Sequence, residues 1–384
     1  MRPAEVSCPA RKLTDLPEHK FSYSVPIVRP IPLANPPNPW ETNVVDYLGE
    51  PPLAPLQIFE DHSRSILAKN DSPDVGFTWS VNPYRGCAHG CSYCYARPTH
   101  EYLGFGSGTD FERKIVVKPR AGELLRQAFD RPSWHGELIV FSGNTDCYQP
   151  LEASYRLTRA CLEACADYRN PVHIITKAPL IERDLELLVR LAREASIGVS
   201  ISIPFWNEAN ARAIEPYVAT PARRMKTVRR LSEAGICVSV NVAPVCPGLN
   251  DEDMPAILEH AKGAGATSAS MIMVRLPGTV KQVFEERIRA ELPLRAERIL
   301  ARTREIRGGR LNDPRFGVRK TGEGVYAEAI SSLFERTAAR LGLAGRQVKS
   351  DEPCTTTFRR PSGPASQRTA GQLDLFADRP TKRR

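Results

Sequence analysis

The stretch NPYRGCAHGCSYCY, residues 82–95, places Cys87, Cys91 and Cys94 within eight residues. Three thiolates that close together on a Gly-punctuated loop repel one another at neutral pH unless positive charge sits among them. The loop therefore reads as a metal holder, and the ligand count bears on which metal. A structural zinc site is closed by four ligands, usually as two spaced pairs. Here three cysteines stand in the order C-x3-C-x2-C with no second CxxC pair, and His89 sits between two of them on the same tight turn. Three thiolates suit a cubane 4Fe-4S cluster whose fourth iron is open to a small molecule. Zinc with His89 as fourth ligand stays as the alternative.

The motif C-x3-C-x2-C with Tyr93 just before the last cysteine resembles the cluster loop of radical S-adenosylmethionine (radical SAM) enzymes. The longer strings NPYRGCAHGCSYCYARPTHEYLG, SGNTDCYQPLE and IITKAPLIERDLELL resemble the subgroup of spore photoproduct lyase and its relatives labelled DNA repair photolyases, over about residues 62 to 330. The resemblance implies a 4Fe-4S cluster on Cys87, Cys91 and Cys94, S-adenosylmethionine (SAM) as cosubstrate, and an electron donor such as flavodoxin or ferredoxin. It also implies reductive cleavage of SAM to a 5′-deoxyadenosyl radical, and an open (β/α)6 partial TIM barrel.

A chain of 384 residues with 41% hydrophobic content can bury a large core as one big domain or two modest ones. It holds no run of 18 apolar residues, and its first residues lack an apolar signal core, so a cytoplasmic protein without a membrane span is expected. In that compartment the ten cysteines are free thiols or cluster ligands. Of the net charge of +9, residues 346–384 supply +5, nine Lys/Arg against four Asp/Glu. That concentration fits either a solvated tail or attachment to a polyanion such as nucleic acid.

Four regions are expected. Residues 1–60 are Pro-rich without periodicity and read as extended or disordered. From 61 to 290, apolar runs of four to six residues alternate with amphipathic stretches of ten or more, the pattern of strand–helix units wound into a parallel sheet. Strands are expected at 77–84, 137–143, 171–177, 197–205, 237–245 and 268–274, with helices at 95–103, 153–169, 181–195, 221–234 and 252–264 and from about 280. Residues 291–345 read as a helical extension with a basic Gly-rich loop, and 346–384 as a disordered basic tail.

In a wound parallel sheet, ligands gather at the carboxyl ends of the strands. The second expected strand ends in Ser142-Gly143-Asn144-Thr145-Asp146-Cys147, where many radical SAM enzymes carry a GGE-like turn for the amino group of SAM. Glu is absent here, so the backbone near Gly143 and the side chains of Asn144 and Asp146 are the candidates; an Asx-type turn capping the next helix is the plainer reading. Lys177 ends the third strand, placed to neutralise a carboxylate, and in the related subgroup the matching lysine contacts that of SAM. Ser202 on the fourth strand is a further cofactor candidate, Ser200 reads as a strand hydroxyl bonded within the barrel, and Asn241 is a weaker cofactor candidate.

Cys147 resembles the hydrogen-donating cysteine of spore photoproduct lyase, and it also suits a small buried turn residue. Cys161 and Cys165 read as a packing stripe. The loop 308–324, with Arg310, Arg315, Arg319, Lys320 and Phe316, either grips a phosphate backbone or packs across the open side of the barrel. In the tail, Gln372-Leu373-Asp374-Leu375-Phe376 resembles the QL(S/D)LF peptide that docks on the bacterial sliding clamp. The expected function is a radical SAM enzyme acting on nucleic acid, in the manner of lesion repair. The alternatives are radical SAM modification of RNA or protein, and a non-catalytic nucleic-acid-binding protein stabilised by its metal.

Overall fold

Pro83 has no backbone N–H to give to a strand ladder, and the chain turns there. The expected first strand is thereby split into β3 (Trp79–Val81), which stays in the main sheet, and β4 (Tyr84–Arg85), which joins another. The computed structural model describes residues 55–344 and 356–361. Around this split the strands are β1 (Gln57–Glu60), β2 (Leu67–Lys69), β5 (Lys114–Val117), β6 (Ile139–Phe141), β7 (Val172–Thr176), β8 (Ile197–Ser202), β9 (Cys237–Val245) and β10 (Ser268–Met273).

The main sheet has the order β10-β9-β8-β7-β6-β3-β2. Its first six strands run parallel, and β2 closes one edge antiparallel to β3. These six are the expected strand–helix units, and the sheet does not close on itself, which makes it an open partial barrel. The apolar side chains of β6 to β9 alternate toward the outer helices, where Ile174, Val199, Val240, Leu188 and Leu231 are fully buried in one continuous core. A second small sheet, β1-β5-β4, lies beside the cysteine loop. Neither β1 nor β5, nor the helices Ala121–Asp130 and Glu208–Ile214, had been expected from the sequence.

Helical expectations are modified where a side chain competes with the backbone. The segment 153–169 divides into Glu152–Tyr155 and Leu157–Asp167, because Arg156 takes a left-handed conformation (φ 53°). The buried Glu152 carboxylate accepts the backbone N–H groups of Thr158 and Arg159 and so caps the second piece. Residues 95–103 form a 3-10 turn at Arg97–Leu103. Helices Val280–Glu291, Ala296–Glu305 and Val325–Arg340 follow the barrel.

The loop 308–324 packs back on the body. Arg319 makes a two-pronged ion pair with Asp74, from the loop before β3, and the Lys320 carbonyl accepts the N–H of Met273 on β10. The contact joins the two margins of the open sheet through side chains in place of a backbone ladder. A short outlying segment, Thr356–Pro361, also docks. Phe358 stacks on Tyr168, and Arg360 caps the carbonyls of Phe129, Arg131 and Trp134.

Candidate active site

The cysteine loop is held by geometry that only glycine permits at two places. Gly86 (φ 76°) and Gly90 (φ 67°) are left-handed, and a Cβ would lie 2.8 Å from His100 at the first and 2.8 Å from the Tyr217 ring at the second. Arg97, fully buried, gathers the loop by donating to the carbonyls of Gly90, Cys91, Ser107 and Gly108 while pairing with Glu112 at 2.5 Å. Gln149 clasps the other side, accepting from the Ala88 N–H and donating to the Gly86 carbonyl. The loop is thus fixed before any ligand binds.

Cys87 and Cys91 are buried and Cys94 is half-buried. Burial pushes all three thiols up, Cys87 to about 12, and for Cys87 and Cys91 the charges of the neighbouring cysteines add to the effect. Cys87 and Cys91 both feel Cys94, so the three thiols occupy one locality, and a cation among them would favour the thiolates. Among the described residues no group of His, Cys, Asp or Glu gathers around one point as a lone metal ion requires. A cubane places fewer demands on convergence, since each thiolate bonds its own iron corner. The donor set fits a cluster held by Cys87, Cys91 and Cys94.

Lys177, just past β7, faces this loop. Burial works against its ammonium, yet Cys91, Glu215 and Asp146 outweigh burial and hold its pKa above the ordinary lysine value. The Nζ lies 5.8 Å from the Tyr93 ring centroid. Asp146 ties the end of β6 to the end of β7, accepting from the Thr176 hydroxyl (2.6 Å) and the Lys177 N–H (2.8 Å), with His89 at 3.5 Å. It also accepts the Tyr148 N–H in an Asx turn, although this turn does not cap the next helix as the plainer reading had it. Its carboxylate is committed to shaping the site.

Tyr93, Glu215 and Arg224 form a chain that sequence reasoning missed. The Tyr93 hydroxyl donates to Glu215; Glu215 pairs with Arg224; and Arg224 donates to the carbonyls of Ser202 and Ala219. The loop between Cys91 and Cys94 is thereby strapped to the end of β8. Pairing offsets the desolvation of two buried charges only when their remaining hydrogen bonds are also met.

The other expected residues disperse. Gly143 lies so near β3 that a Cβ would sit 3.0 Å from that of Ser80, and its carbonyl accepts from Tyr95. Asn144 gives its N–H to Asn82. Ser202 is nearly buried at the end of β8, whereas Ser200 bonds His173 and Ser239 within the sheet, as expected. Asn241 accepts from Ser270. Cys147, on the turn after β6, is 0% exposed, its thiol pushed well up by burial and its carbonyl bonded to Thr158. The clamp-like peptide at 372–376 lies outside the described residues.

An open six-stranded parallel barrel with three cysteines on the loop after its first parallel strand is the frame of the site. Residues 81–261 match the family model of the radical SAM superfamily. An uncharacterised protein of Mycobacterium tuberculosis is 38% identical over 210 residues, covering 54% of this chain and 62% of the relative. The chain thus spans under two thirds of that relative's length. A radical SAM Nalpha-GlyT isomerase of Pseudomonas phage M6 is 23% identical over 308 residues, covering 78% of this chain and 60% of the isomerase. Spore photoproduct lyase complexed with dinucleoside spore photoproduct shares the fold, with a TM-score of 0.55 at 16% identity over 74% of this chain and 79% of the lyase. A mutant of that lyase with bound AdoMet and the same ligand aligns with a TM-score of 0.54 at 17% identity, over 78% and 85% of the two chains.

Proposed function

We propose that the protein is a radical SAM enzyme acting on nucleic acid. The observation that carries the reading is the nearness of the cysteine loop of Cys87, Cys91 and Cys94 to the half-buried Lys177, whose ammonium lies over Tyr93 at the carboxyl end of β7. A 4Fe-4S cluster bound there supplies one electron for the reductive cleavage of SAM. Lys177 neutralises the carboxylate of SAM, Asp146 fixes the backbone that carries Lys177, and the Ser202 hydroxyl and the backbone at Gly143 and Asn144 offer polar contacts at neighbouring strand ends. Arg97 and Gln149 hold the loop rigid, and the buried walls keep water from the reacting atoms.

Nucleic acid as substrate is supported by the basic charge of the chain and by the dinucleoside ligand of the lyase that shares its fold. Modification of RNA or of a protein is the reading to test beside it. Recruitment to a sliding clamp through Gln372–Phe376 belongs to the same proposal: replacing Leu375 and Phe376 by Ala abolishes clamp binding and leaves SAM cleavage unchanged.

The deciding experiment is electron paramagnetic resonance of anaerobically reconstituted, dithionite-reduced protein with and without SAM. A 4Fe-4S signal that changes when SAM is added is expected. Stoichiometric zinc and no signal would overturn the enzyme reading in favour of a metal-stabilised binding protein.

A further inference from the structure

The cysteine loop ends at a lip whose chemistry the cofactor site does not use. Tyr95 spans the mouth of the barrel: its hydroxyl donates to the Gly143 carbonyl beyond β6 at 2.7 Å, while the Arg275 guanidinium, beyond β10, lies 6.0 Å from its ring centroid. The residue is 50% exposed. A second ring, Phe316, is 56% exposed and carries the Arg319 guanidinium at 4.3 Å. Two open aromatic surfaces are therefore each backed by an arginine.

The charges between them do not cancel. Arg319 pairs with Asp74, and the Lys320 ammonium donates to the Asp74 carbonyl. Asp74 is the carboxylate that Arg275, Arg319 and Lys320 share, which leaves a surplus of two positive charges in this group. Burial, with the like charge of Arg319 alongside, pushes the pKa of Arg275 down, and Lys320 responds in the same way. The Arg275 Nε is buried and has no hydrogen-bond partner among the described residues. Such a site is short of an anion.

We propose that this lip binds an unpaired stretch of nucleic acid, with Arg275 taking a backbone phosphate and Tyr95 and Phe316 stacking bases, and so feeds a nucleotide to the mouth of the barrel. The proposal rests on the nucleic-acid reading above. An acidic peptide would satisfy the cations and leave both rings idle; a single strand uses both. Paired bases present their edges and not their faces, so a duplex cannot stack here.

The test uses the cluster-loaded full chain, with SAM, and the fluorescence anisotropy of a labelled single-stranded DNA dodecamer and of its duplex. Wild type is expected to prefer the single strand. Arg275→Ala weakens that binding about tenfold and lowers the log–log salt slope by about 0.7, the value for one phosphate contact on a single strand. Phe316→Ala weakens binding with the salt slope unchanged, and both variants keep their iron and the SAM-induced change in resonance. If both variants bind the strand as wild type does, the lip is rejected while the nucleic-acid reading stands. If wild type binds neither single strand nor duplex, that reading itself falls. An Arg275→Ala protein that loses its response to SAM assigns the arginine to the cofactor and overturns the proposal.

Discussion

Glu215 shows how much of the site depends on single buried charges. It accepts from Tyr93 on the cysteine loop and pairs with Arg224, which in turn holds the end of β8. Replacing Glu215 by Ala strands the Arg224 charge and is expected to destabilise the fold by about 3–5 kcal/mol. Tyr93→Phe leaves that pair intact and costs only about 1 kcal/mol. Urea midpoints of the two variants distinguish the cases. Cys91→Ala abolishes cluster binding, read as iron and sulfide content. Lys177→Ala leaves iron content unchanged and weakens SAM binding about 10- to 100-fold, the loss of one charge-assisted contact, measured by equilibrium dialysis. The cysteines and Lys177 were legible because ligand spacing and strand-end position are local properties of sequence. Glu215 and Arg224 were not, since a glutamate in AIEPYVATPARR looks like any surface charge until its partner, 122 residues away, is known. For Cys147 the place after a strand was legible, and the burial of its side chain was not.

The strands that carry the site have their own constraints. On β7, His173 reaches across to Ser200 on β8, whose hydroxyl meets that of Ser239 on β9. Gly198 makes room for it, since a Cβ there would stand 2.7 Å from the imidazole Nδ1. Gly198→Ala is expected to cost about 1–3 kcal/mol through that clash, visible as a lower melting temperature. Burial lowers the pKa of His173, and also that of His100, although the latter bonds the Lys114 carbonyl. The folded chain therefore takes up a proton less readily than the unfolded chain. The stability these histidines contribute is complete above about pH 6.5 and is lost as the pH falls through the depressed folded-state values. Melting scans should show an acid limb beginning near pH 6.5, and His173→Gln should shallow it. At this scale β7 to β10 were legible within a few residues, because their apolar runs are bounded by turn residues. Two failures lay where one residue overrides a pattern, Pro83 between β3 and β4 and Glu152 below Arg156; β1, β5 and two helices were missed outright.

Across the whole molecule, six parallel strands form a wall that stops short of closing, and Arg319 with Asp74 spans the remaining distance. Both side chains are largely buried, so Asp74→Ala is expected to lose about 3 kcal/mol and to speed hydrogen exchange in β10 and in the loop before β3, while β7 and β8 stay protected. The count of strand–helix units was legible because each unit is local. The clasp was not, for it joins residues 245 apart. An incomplete wall also leaves rims, and a rim of unpaired backbone is a template on which foreign strands add, the start of aggregation. Here the β10 rim is already occupied: Ala269 gives its N–H to Leu343, Ala344 bridges to Ala269, and Met273 gives its N–H to Lys320. The opposite rim, β2, is only three residues long and ends in a lysine. The opening in the wall is thus edged by strands that offer little to a second copy of the sheet.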